Sequence, residues 1–339
     1  MSASAEAGAD RSRAAARPPI AITRHLPEAV VARLRAVGEL RLNEPDRQLT
    51  GAQLRAACAG AAAIVATGLD PIDAELLDAA GAQLRIVANV AVGYDNVDVE
   101  AAAARGVVVT NTPDVLTDDT ADMAFALLLA AARRVAEGDR MIRRGEPWTW
   151  TPTFMIGARV SQATLGIVGL GRIGQAVARR AAGFGMRVLY ASRRPAPAEV
   201  ERELGATRCP LEELLERSDF VSLHCPLTEG TRHLIGAAEL RRMKPTAVLV
   251  NTARGAVVDE RALAEALRDG EIAAAGLDVF EREPHVERLL LGCESAVLAP
   301  HLGSATDATR GAMAALAADN VERVLAGRPP LTPVAAAAR

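Results

Sequence analysis

The stretch TLGIVGLGRIGQAVARRAAGF, residues 164–184, decides the fold. It opens with an apolar run typical of a buried strand and closes with the spacing of an amphipathic helix. Between them lies a glycine turn, Gly169-Leu170-Gly171-Arg172-Ile173-Gly174. Glycines let the backbone approach a pyrophosphate, which amides at the positive end of the helix would hold. A glycine-rich turn without a ligand is the alternative, but the order strand, turn, helix favours dinucleotide binding.

Short apolar runs alternate with Ala/Leu/Arg-rich helical segments on both sides of this stretch. Such βα repeats indicate parallel sheets covered by helices. We therefore predict an α/β fold of two doubly wound parallel-sheet domains, a Rossmann cofactor domain and a flavodoxin-like substrate domain, with a cleft between them. The predicted strands are residues 20–23, 62–67, 86–89 and 107–110, and then 164–169, 187–191, 220–223, 247–251, 273–279 and 296–299.

Two helical segments bear on the domain boundaries. Residues 118–144 have no proline, and apolar residues surround the helix over 121–132, so we expect it to be buried between domains or subunits. A last helix over about 305–325, with Ser304 as N-cap, would make the first domain discontinuous if it packs on the N-terminal sheet. We predict a disordered tail (1–17), a substrate domain (18–112 and 303–335) and a cofactor domain (113–302).

Composition restricts the partners and the compartment. A net charge of −3 and the lack of long Lys/Arg runs argue against nucleic acid and anionic membranes, which leaves small metabolites. The longest apolar run, residues 123–132, is far shorter than the ~20 residues that span a bilayer. Glu6 and Asp10 argue against a transit peptide. We therefore predict a cytoplasmic protein.

Cysteines and histidines are too scattered to predict a metal centre. The chain has five histidines, and no pair of them has ligand spacing on one helix, so we predict no metal site and set a metal-dependent enzyme aside. The four cysteines form no CxxC pair and no disulfide framework, which fits a reducing cytosol. They are Cys58, Cys209, Cys225 and Cys293.

The residues after the second strand of the cofactor domain bear on the choice of cofactor. NAD enzymes carry an acid about 20 residues beyond the glycine turn, where it binds the ribose, whereas this chain has Ser192-Arg193-Arg194 there. A carboxylate would repel a 2′-phosphate, but a hydroxyl and guanidinium groups bind one. We predict that NADP(H) is preferred over NAD(H). The alternative is that Arg193 and Arg194 are solvated loop charges.

Polar residues follow three further predicted strands, in NTARG (251–255), GLDVFEREP (276–284) and PHLGS (300–304). In open α/β sheets the ligand crevice lies at such carboxyl ends. Reduction of a 2-oxo acid needs a cation for the carboxylate, a proton donor for the carbonyl oxygen and a partner for that donor. Arg254, His301 and Glu283 supply these. Each alone has a structural explanation, as an ion pair, a helix-end residue or a charge before a proline, but together they favour catalysis.

His301 lies just before the helix that Ser304 is predicted to cap. The positive end of that helix disfavours an imidazolium, whereas a neighbouring carboxylate favours it. We therefore expect Glu283 to keep His301 poised as an acid.

Further segments of the chain resemble one enzyme family. They are AVGYDNVD (91–98), the helix start Thr120-Ala121-Asp122, GLGRIG, HCPLT (224–228), NTARG, GLDVFEREP and APHLGSAT (299–306). In this order, over about residues 20–330, they resemble the D-2-hydroxyacid dehydrogenase family and, within it, the glyoxylate/hydroxypyruvate reductase (2-ketogluconate reductase) group.

The resemblance implies a role for each residue of the site. It agrees that Arg254 binds the substrate carboxylate and carbonyl, that His301 donates the proton and that Glu283 is its partner. It adds the backbone amides of Val92 and Gly93 as donors to the substrate carboxylate. It also places Asp278 and the Cys225-Pro226 turn beside the nicotinamide. The cofactor-binding set that it implies is Thr120, Gly169, Gly171, Arg172, Ile173, Gly174, Ser192, Arg193, Arg194, Cys225, Pro226, Thr231, Thr252, Ala253, Asp278 and Gly303.

The resemblance further implies a reductase of glyoxylate, hydroxypyruvate or 2-ketogluconate that forms a homodimer through the helix beginning near Thr120. Trp148 and Trp150 stand where an aromatic residue of that group limits the pocket, or they pack at an interface. Two alternatives remain open. A phosphoglycerate-type dehydrogenase of the same family is disfavoured because no acid stands at Ser192 and no extra C-terminal domain is expected. A nucleotide-sensing corepressor on the same fold is disfavoured by the lack of basic patches.

Overall fold

The computed structural model describes residues 17–335. The predicted tail therefore lies outside the described residues, apart from Arg17. The chain divides into two compact units. The first contains the described residues up to Ala88, then Asp98–Thr110, and the described residues from Ala317 onward; the second contains Asn89–Val97 and Asn111–Leu316. The first unit is thus discontinuous, and residues 89–97, 111–112 and 303–316, which the sequence-based boundaries gave to the substrate domain, lie in the second unit.

Strands and helices alternate in the first unit: β1 (Pro19–Ile22), α1 (Glu28–Val37), β2 (Glu39–Leu42), α2 (Gly51–Cys58), β3 (Ala63–Thr67), α3 (Ala74–Ala80), β4 (Ile86–Val90), α4 (Val99–Ala104) and β5 (Val108–Thr110). The last two residues of β4 belong to the second unit. The five strands form one sheet in the order β2-β1-β3-β4-β5. β1 pairs in parallel with β2 and β3, and β4 pairs in parallel with β5. This is the strand order of flavodoxin-like sheets.

The second unit repeats the alternation on a larger scale: α5 (Thr117–Ala132), α6 (Val135–Arg143), β6 (Thr164–Val168), α7 (Arg172–Ala182), β7 (Arg187–Ala191), α8 (Ala198–Leu204), β8 (Ala206–Arg208), α9 (Leu211–Arg217), β9 (Phe220–Leu223), α10 (Ala237–Arg242), β10 (Val248–Asn251), α11 (Glu260–Asp269), β11 (Ala274–Leu277), α12 (Arg288–Leu291) and β12 (Ala296–Leu298). A final helix, α13 (Asp307–Leu325), begins in this unit and ends in the first.

The seven strands of the second unit form one sheet in the order β12-β11-β10-β9-β6-β7-β8, with every neighbouring pair parallel. The chain order reverses between β6 and β9, and ligands of doubly wound sheets bind at the carboxyl ends beside such a reversal. Gly169 follows β6 there and His224 follows β9. The two doubly wound parallel sheets confirm the predicted fold class.

Alternate side chains of each strand in this sheet enter different hydrophobic cores. Val248 and Val250 join the core that includes the apolar residues of α5 and α7. Leu249 joins the core that includes Leu214 and Leu263, from α9 and α11. A parallel sheet covered on both faces needs apolar side chains on both, and continuous apolar runs such as 248–250 provide them.

The predicted helix over 118–144 is two helices in the structure. The helix is interrupted at Arg133 and Arg134, where Arg134 adopts a left-handed conformation with φ of 52°. α5 packs against α7, β10 and β11, so its apolar surface is buried largely within its own unit. The helix therefore needs no second subunit to cover that surface.

The N-cap predicted for the last helix was wrong by two residues. α13 begins at Asp307, and the hydroxyl of Thr306, not of Ser304, accepts a hydrogen bond from the amide of Thr309 (3.2 Å). Within residues 17–335 no helix is long and apolar enough to cross a membrane. In the same range no three His, Cys, Asp or Glu residues are grouped so that they could hold a metal ion.

Candidate active site

Arg254, Glu283 and His301 follow the carboxyl ends of β10, β11 and β12, which are neighbours in the sheet. Since the strands are parallel, the loops after them leave the same edge of the sheet. The structure therefore brings together the three residues that the sequence predicted as catalytic.

His301 and Glu283 form a direct pair. The imidazole Nδ1 lies 2.8 Å from Glu283 Oε2, while Oε1 of Glu283 accepts a hydrogen bond from the amide of Phe280 at 3.0 Å. The Glu283 side chain is only 13% exposed, whereas that of His301 is 42% exposed, so the imidazole remains accessible. Burial alone would raise the pKa of Glu283, but the hydrogen bond and charge of His301 outweigh it and lower that pKa. The contact with His301 thus favours the ionised form of Glu283.

The backbone at His301 is fixed by Asp278. His301 has a φ of 55°, a left-handed conformation that costs energy for a residue with a Cβ. Its amide donates to the carbonyl of Asp278 at 2.8 Å, and the two carboxylate oxygens of Asp278 accept the amides of Leu302 (2.6 Å) and Gly303 (2.7 Å). Burial raises the pKa of Asp278 despite these amides. Asp278 therefore holds the loop that presents the imidazole.

Arg254 stands on a turn that the buried Asn251 organises. The Asn251 side chain accepts from the amide of Ala253 (3.0 Å) and donates to the carbonyl of Arg254 (2.9 Å). The next residue, Gly255, packs so tightly on the following loop that an added Cβ would lie 1.9 Å from the carbonyl carbon of Phe280. Only glycine permits this approach, which places the Arg254 turn directly against the loop that carries Glu283.

The segment 91–96 meets the Arg254 guanidinium. Arg254 Nε donates to Asp95 Oδ1 at 2.9 Å, and a Cβ added to Gly93 would lie 1.9 Å from Arg254 Nη2. Val92 is in the same segment, with its carbonyl bonded by the Asn111 side chain at 2.8 Å. The sequence predicted Val92 and Gly93 as site residues but not Asp95, although Asp95 lies in the same AVGYDNVD segment.

The glycine turn after β6 is shaped for a close ligand. Gly169 has a φ of 97°, and a Cβ there would lie 2.8 Å from the backbone of His224 and Cys225. A Cβ on Gly174 would lie 2.2 Å from the carbonyl oxygen of Gly169, whereas one on Gly171 would meet only open space. Gly169 and Gly174 thus serve the turn, and Gly171 leaves the backbone at the start of α7 uncovered.

Two buried polar atoms without a hydrogen-bond partner in the described chain lie at this edge, His224 Nδ1 and Thr252 Oγ1. The register pairs Leu223 of β9 with Asn251 of β10, so the residues that follow are side by side. Burial lowers the pKa of His224 to about 4, which leaves the ring neutral. Buried polar atoms are normally satisfied. A polar ligand such as a nicotinamide dinucleotide fits this edge and the glycine turn beside it.

The loop after β7 holds Ser192, Arg193 and Arg194. The Ser192 hydroxyl donates to the carbonyl of Arg194 at 2.6 Å, and both arginine side chains are exposed. Arg208, at the end of β8, donates to the carbonyls of Ser192 (3.0 Å) and Arg193 (3.4 Å). Arg208 was not predicted from the sequence, because β8 was not predicted either.

The other residues implied for the cofactor are scattered along the same edge. Thr231 Oγ1 donates to the carbonyl of Pro226 at 2.7 Å, which closes the turn that begins at Cys225. Thr120 lies within 3.5 Å of the position of a Cβ on Gly303.

Three implied residues are not held in a closed site. Arg172 is exposed and pairs with Asp114. Trp148 and Trp150 are 55% and 74% exposed, and the ring on which Trp148 stacks is that of Phe154.

Comparison with known proteins gives matches over nearly the whole chain. Residues 125–303 match the family model described as D-isomer specific 2-hydroxyacid dehydrogenase, NAD binding domain. The chain is 51% identical over 321 residues to glyoxylate reductase of Thermococcus onnurineus, covering 93% of this chain and 95% of that protein. It is 53% identical over 310 residues to glyoxylate reductase of Korarchaeum cryptofilum, covering 90% and 92%.

A solved structure matches as well. It is NADPH-dependent glyoxylate/hydroxypyruvate reductase from Sinorhizobium meliloti in complex with NADP and malonate. The TM-score is 0.83 at 39% sequence identity, and the match covers 94% of this chain and 97% of that one.

Proposed function

Because the chain belongs to the D-isomer specific 2-hydroxyacid dehydrogenase family, and is thus an NAD(P)-dependent dehydrogenase, we propose that it reduces glyoxylate and related small 2-oxo acids to 2-hydroxy acids, of D configuration where the product is chiral. The observation that supports this most is the His301–Glu283 pair (2.8 Å) at the same sheet edge as Arg254. A cation and a paired proton donor beside each other are what reduction of a 2-oxo acid requires.

Arg254 binds and orients the substrate. Its guanidinium offers parallel N–H donors that match a carboxylate in a bidentate manner and reach the neighbouring carbonyl oxygen. The amides of Val92 and Gly93, in the segment that meets Arg254, are the further donors to the substrate carboxylate. Bound reduced nicotinamide supplies the hydride for the carbonyl carbon.

His301 protonates the oxygen that becomes the hydroxyl. Glu283 fixes the ring through Nδ1, which leaves Nε2 as the atom that gives the proton. In the oxidative direction the same atom takes the proton back. The buried carboxylate therefore holds the orientation of the donor.

Glyoxylate is the first substrate to test, since the curated relatives named above are glyoxylate reductases. Hydroxypyruvate and 2-ketogluconate share the 2-oxo carboxylate and differ only in the tail. The test is the initial rate of reduced-nicotinamide loss with each acid at equal concentration, with NADPH and with NADH. Turnover of glyoxylate would support the proposal. Nucleotide binding without turnover of any of these acids would favour the corepressor instead.

We expect NADPH to bind more tightly than NADH because of Arg193 and Arg194. Replacing both by alanine should weaken binding of 2′,5′-ADP by about 10- to 100-fold, the effect of losing charge-assisted hydrogen bonds, and leave 5′-AMP nearly unchanged. Calorimetry on the purified protein measures both. Arg202→Ala, another exposed arginine nearby, is the control. Equal loss for the two nucleotides would show that Arg193 and Arg194 are only solvated charges.

An exposed apolar surface that follows α5 in the chain is the one that we assign to the proposed homodimer. Val135, Ile142, Trp148, Trp150 and Ile156 are each more than half exposed, and all belong to α6 or the segment after it. We expect sedimentation equilibrium to give twice the chain mass of 35.5 kDa. Ile142→Asp should shift the protein toward monomer, whereas Leu331→Asp, at an exposed site in the first unit, should not. A wild-type monomer at high concentration would exclude the dimer. The cytoplasmic location stays a prediction.

A further inference from the structure

We propose that Asp95 is a positioning residue that holds the Arg254 guanidinium in the orientation that receives the substrate carboxylate. The inference rests on the proposed function for the role of Arg254. It stands on contacts among residues 89–96, Arg254 and Glu283, all of which lie in the second unit.

Asp95 occupies the Nε edge of the Arg254 guanidinium. Arg254 Nε donates to Asp95 Oδ1 at 2.9 Å, and Nη1 donates to the carbonyl of Ala253 at 2.9 Å. The side chains of Arg254 and Asp95 are 20% and 24% exposed, so the pair is largely shielded from water. A guanidinium has five N–H donors. With those two engaged, the donors that remain are on Nη1 and Nη2.

Nη2 lies on the backbone of Gly93. An added Cβ would fall 1.9 Å from Nη2 and 3.0 Å from Asp95 Oδ1, so guanidinium, glycine and carboxylate form one compact group. Any side chain at position 93 would push the guanidinium away. Glycine at position 93 therefore leaves room for the Arg254 guanidinium, and Asp95 fixes its orientation.

Amide side chains hold the segment that carries Asp95. Asn89 Nδ2 donates to the carbonyl of Gly93 at 2.9 Å, and the amide groups of Asn89 and Asn96 bond to each other. Asn111 Nδ2 donates to the carbonyl of Val92 at 2.8 Å. Asn89 is fully buried, so these bonds are protected from solvent. Asp95 thus stands on a rigid support and can fix the longer, more mobile arginine side chain.

Glu283 is the competing partner for Arg254. The charge of Arg254 is one of the causes that lower the pKa of Glu283, so the two groups are close enough to interact. Both oxygens of Glu283 are already used, by His301 and by the amide of Phe280. If Arg254 turned toward Glu283, it would take that carboxylate from the imidazole. Asp95 prevents this by binding Nε on the other side.

The test is a comparison of Asp95→Ala with Asp95→Asn. Alanine removes both the charge and the acceptor, so we expect KM for glyoxylate and the dissociation constant of oxalate to rise about 10- to 100-fold. Asparagine keeps an oxygen for Nε, so its effect should be clearly smaller. In Asp95→Ala, Arg254 is free to turn toward Glu283 and to take that carboxylate from His301. The pH range over which kcat stays high should therefore become narrower. NADPH binding and the unfolding midpoint should stay near wild type in both.

Asp269→Ala removes an exposed carboxylate that pairs with Arg268 and serves as the control. The proposal is overturned if Asp95→Ala binds oxalate within about twofold of wild type, or if asparagine is as harmful as alanine. Oxalate binding is measured by calorimetry on the protein with NADPH, and it does not depend on turnover. A wild type that reduces none of the acids would therefore count against the proposed function alone, and the oxalate titration would still decide the role of Asp95.

Discussion

Replacing His301 by alanine is expected to lower kcat for glyoxylate reduction by about 10²- to 10⁴-fold, the usual contribution of a positioned general acid. The imidazole is exposed, whereas its partner Glu283 is buried, and the imidazole Nδ1 lies 2.8 Å from Glu283 Oε2. Steady-state kinetics with saturating NADPH measures the change. KM for glyoxylate and NADPH binding should move little, because Arg254 and the glycine turn are intact. His25→Ala, at an exposed histidine of the first unit, is the control.

Glu283→Gln is the companion variant, because it keeps the size of the side chain but removes the charge. Folding lowers the pKa of Glu283, so the ionised form stabilises the native state above the unfolded pKa, and this contribution disappears as the pH falls through the lowered value. Without the carboxylate the imidazole Nδ1 loses its hydrogen-bond partner. The pH profile of kcat for reduction should therefore differ from that of the wild type. An unchanged pH profile of kcat in Glu283→Gln, or a kcat of His301→Ala within tenfold of the wild-type value, would contradict the roles assigned to this pair.

Replacing Arg254 by alanine is expected to lower kcat/KM for glyoxylate by about 10²- to 10³-fold, as the loss of a preorganised donor to a developing negative charge does. We expect kcat to fall and KM to rise, because Arg254 binds the carboxylate in the ground state and the carbonyl oxygen in the transition state. Arg254→Lys should recover only a small part, since an ammonium has no Nε for Asp95 and no planar fork for a carboxylate.

Added guanidinium ion gives a second readout on the same variant. A small cation that enters the vacated space should partly restore turnover in Arg254→Ala and should leave Arg254→Lys unchanged. Arg261→Ala removes an arginine whose side chain is 75% exposed and controls for loss of charge. Near-normal kcat/KM in Arg254→Ala would remove this residue from the mechanism.

The sequence predicted ten of the twelve strands that the structure describes and missed two strands at sheet edges, β2 and β8. Each predicted strand corresponds to an observed one, because buried parallel strands such as β6 and β10 are continuous apolar runs. β2, with the sequence ELRL and mostly exposed, and β8, with the sequence ATR, carry no such run. They lie at the ends of their sheets, where one side of the strand meets solvent and polar residues are tolerated.

Of the site, the sequence indicated the groups that follow the strands but not what holds them. Arg254, Glu283 and His301 each stand within a short distance of a recognisable strand end. Asp95 is 159 residues from Arg254 along the chain, so no local spacing could have paired them. The break at Arg134 was also hidden, since nothing in the apolar pattern of 118–144 marks a left-handed residue. Such long-range pairings follow from the folded chain and not from periodicity.

The contact of Gly255 with the backbone of Phe280 has a consequence for protein engineering. A Cβ added to Gly255 would lie only 1.9 Å from the carbonyl carbon of Phe280, so the two loops fit together only as a matched pair. Grafting one of them from a relative without the other would leave either a collision or a gap beneath the acid–base pair. Chimaeras of this enzyme and its relatives should therefore fold when the crossover lies before Asn251 or after Glu283. Chimaeras with a crossover between these two residues should fail to fold.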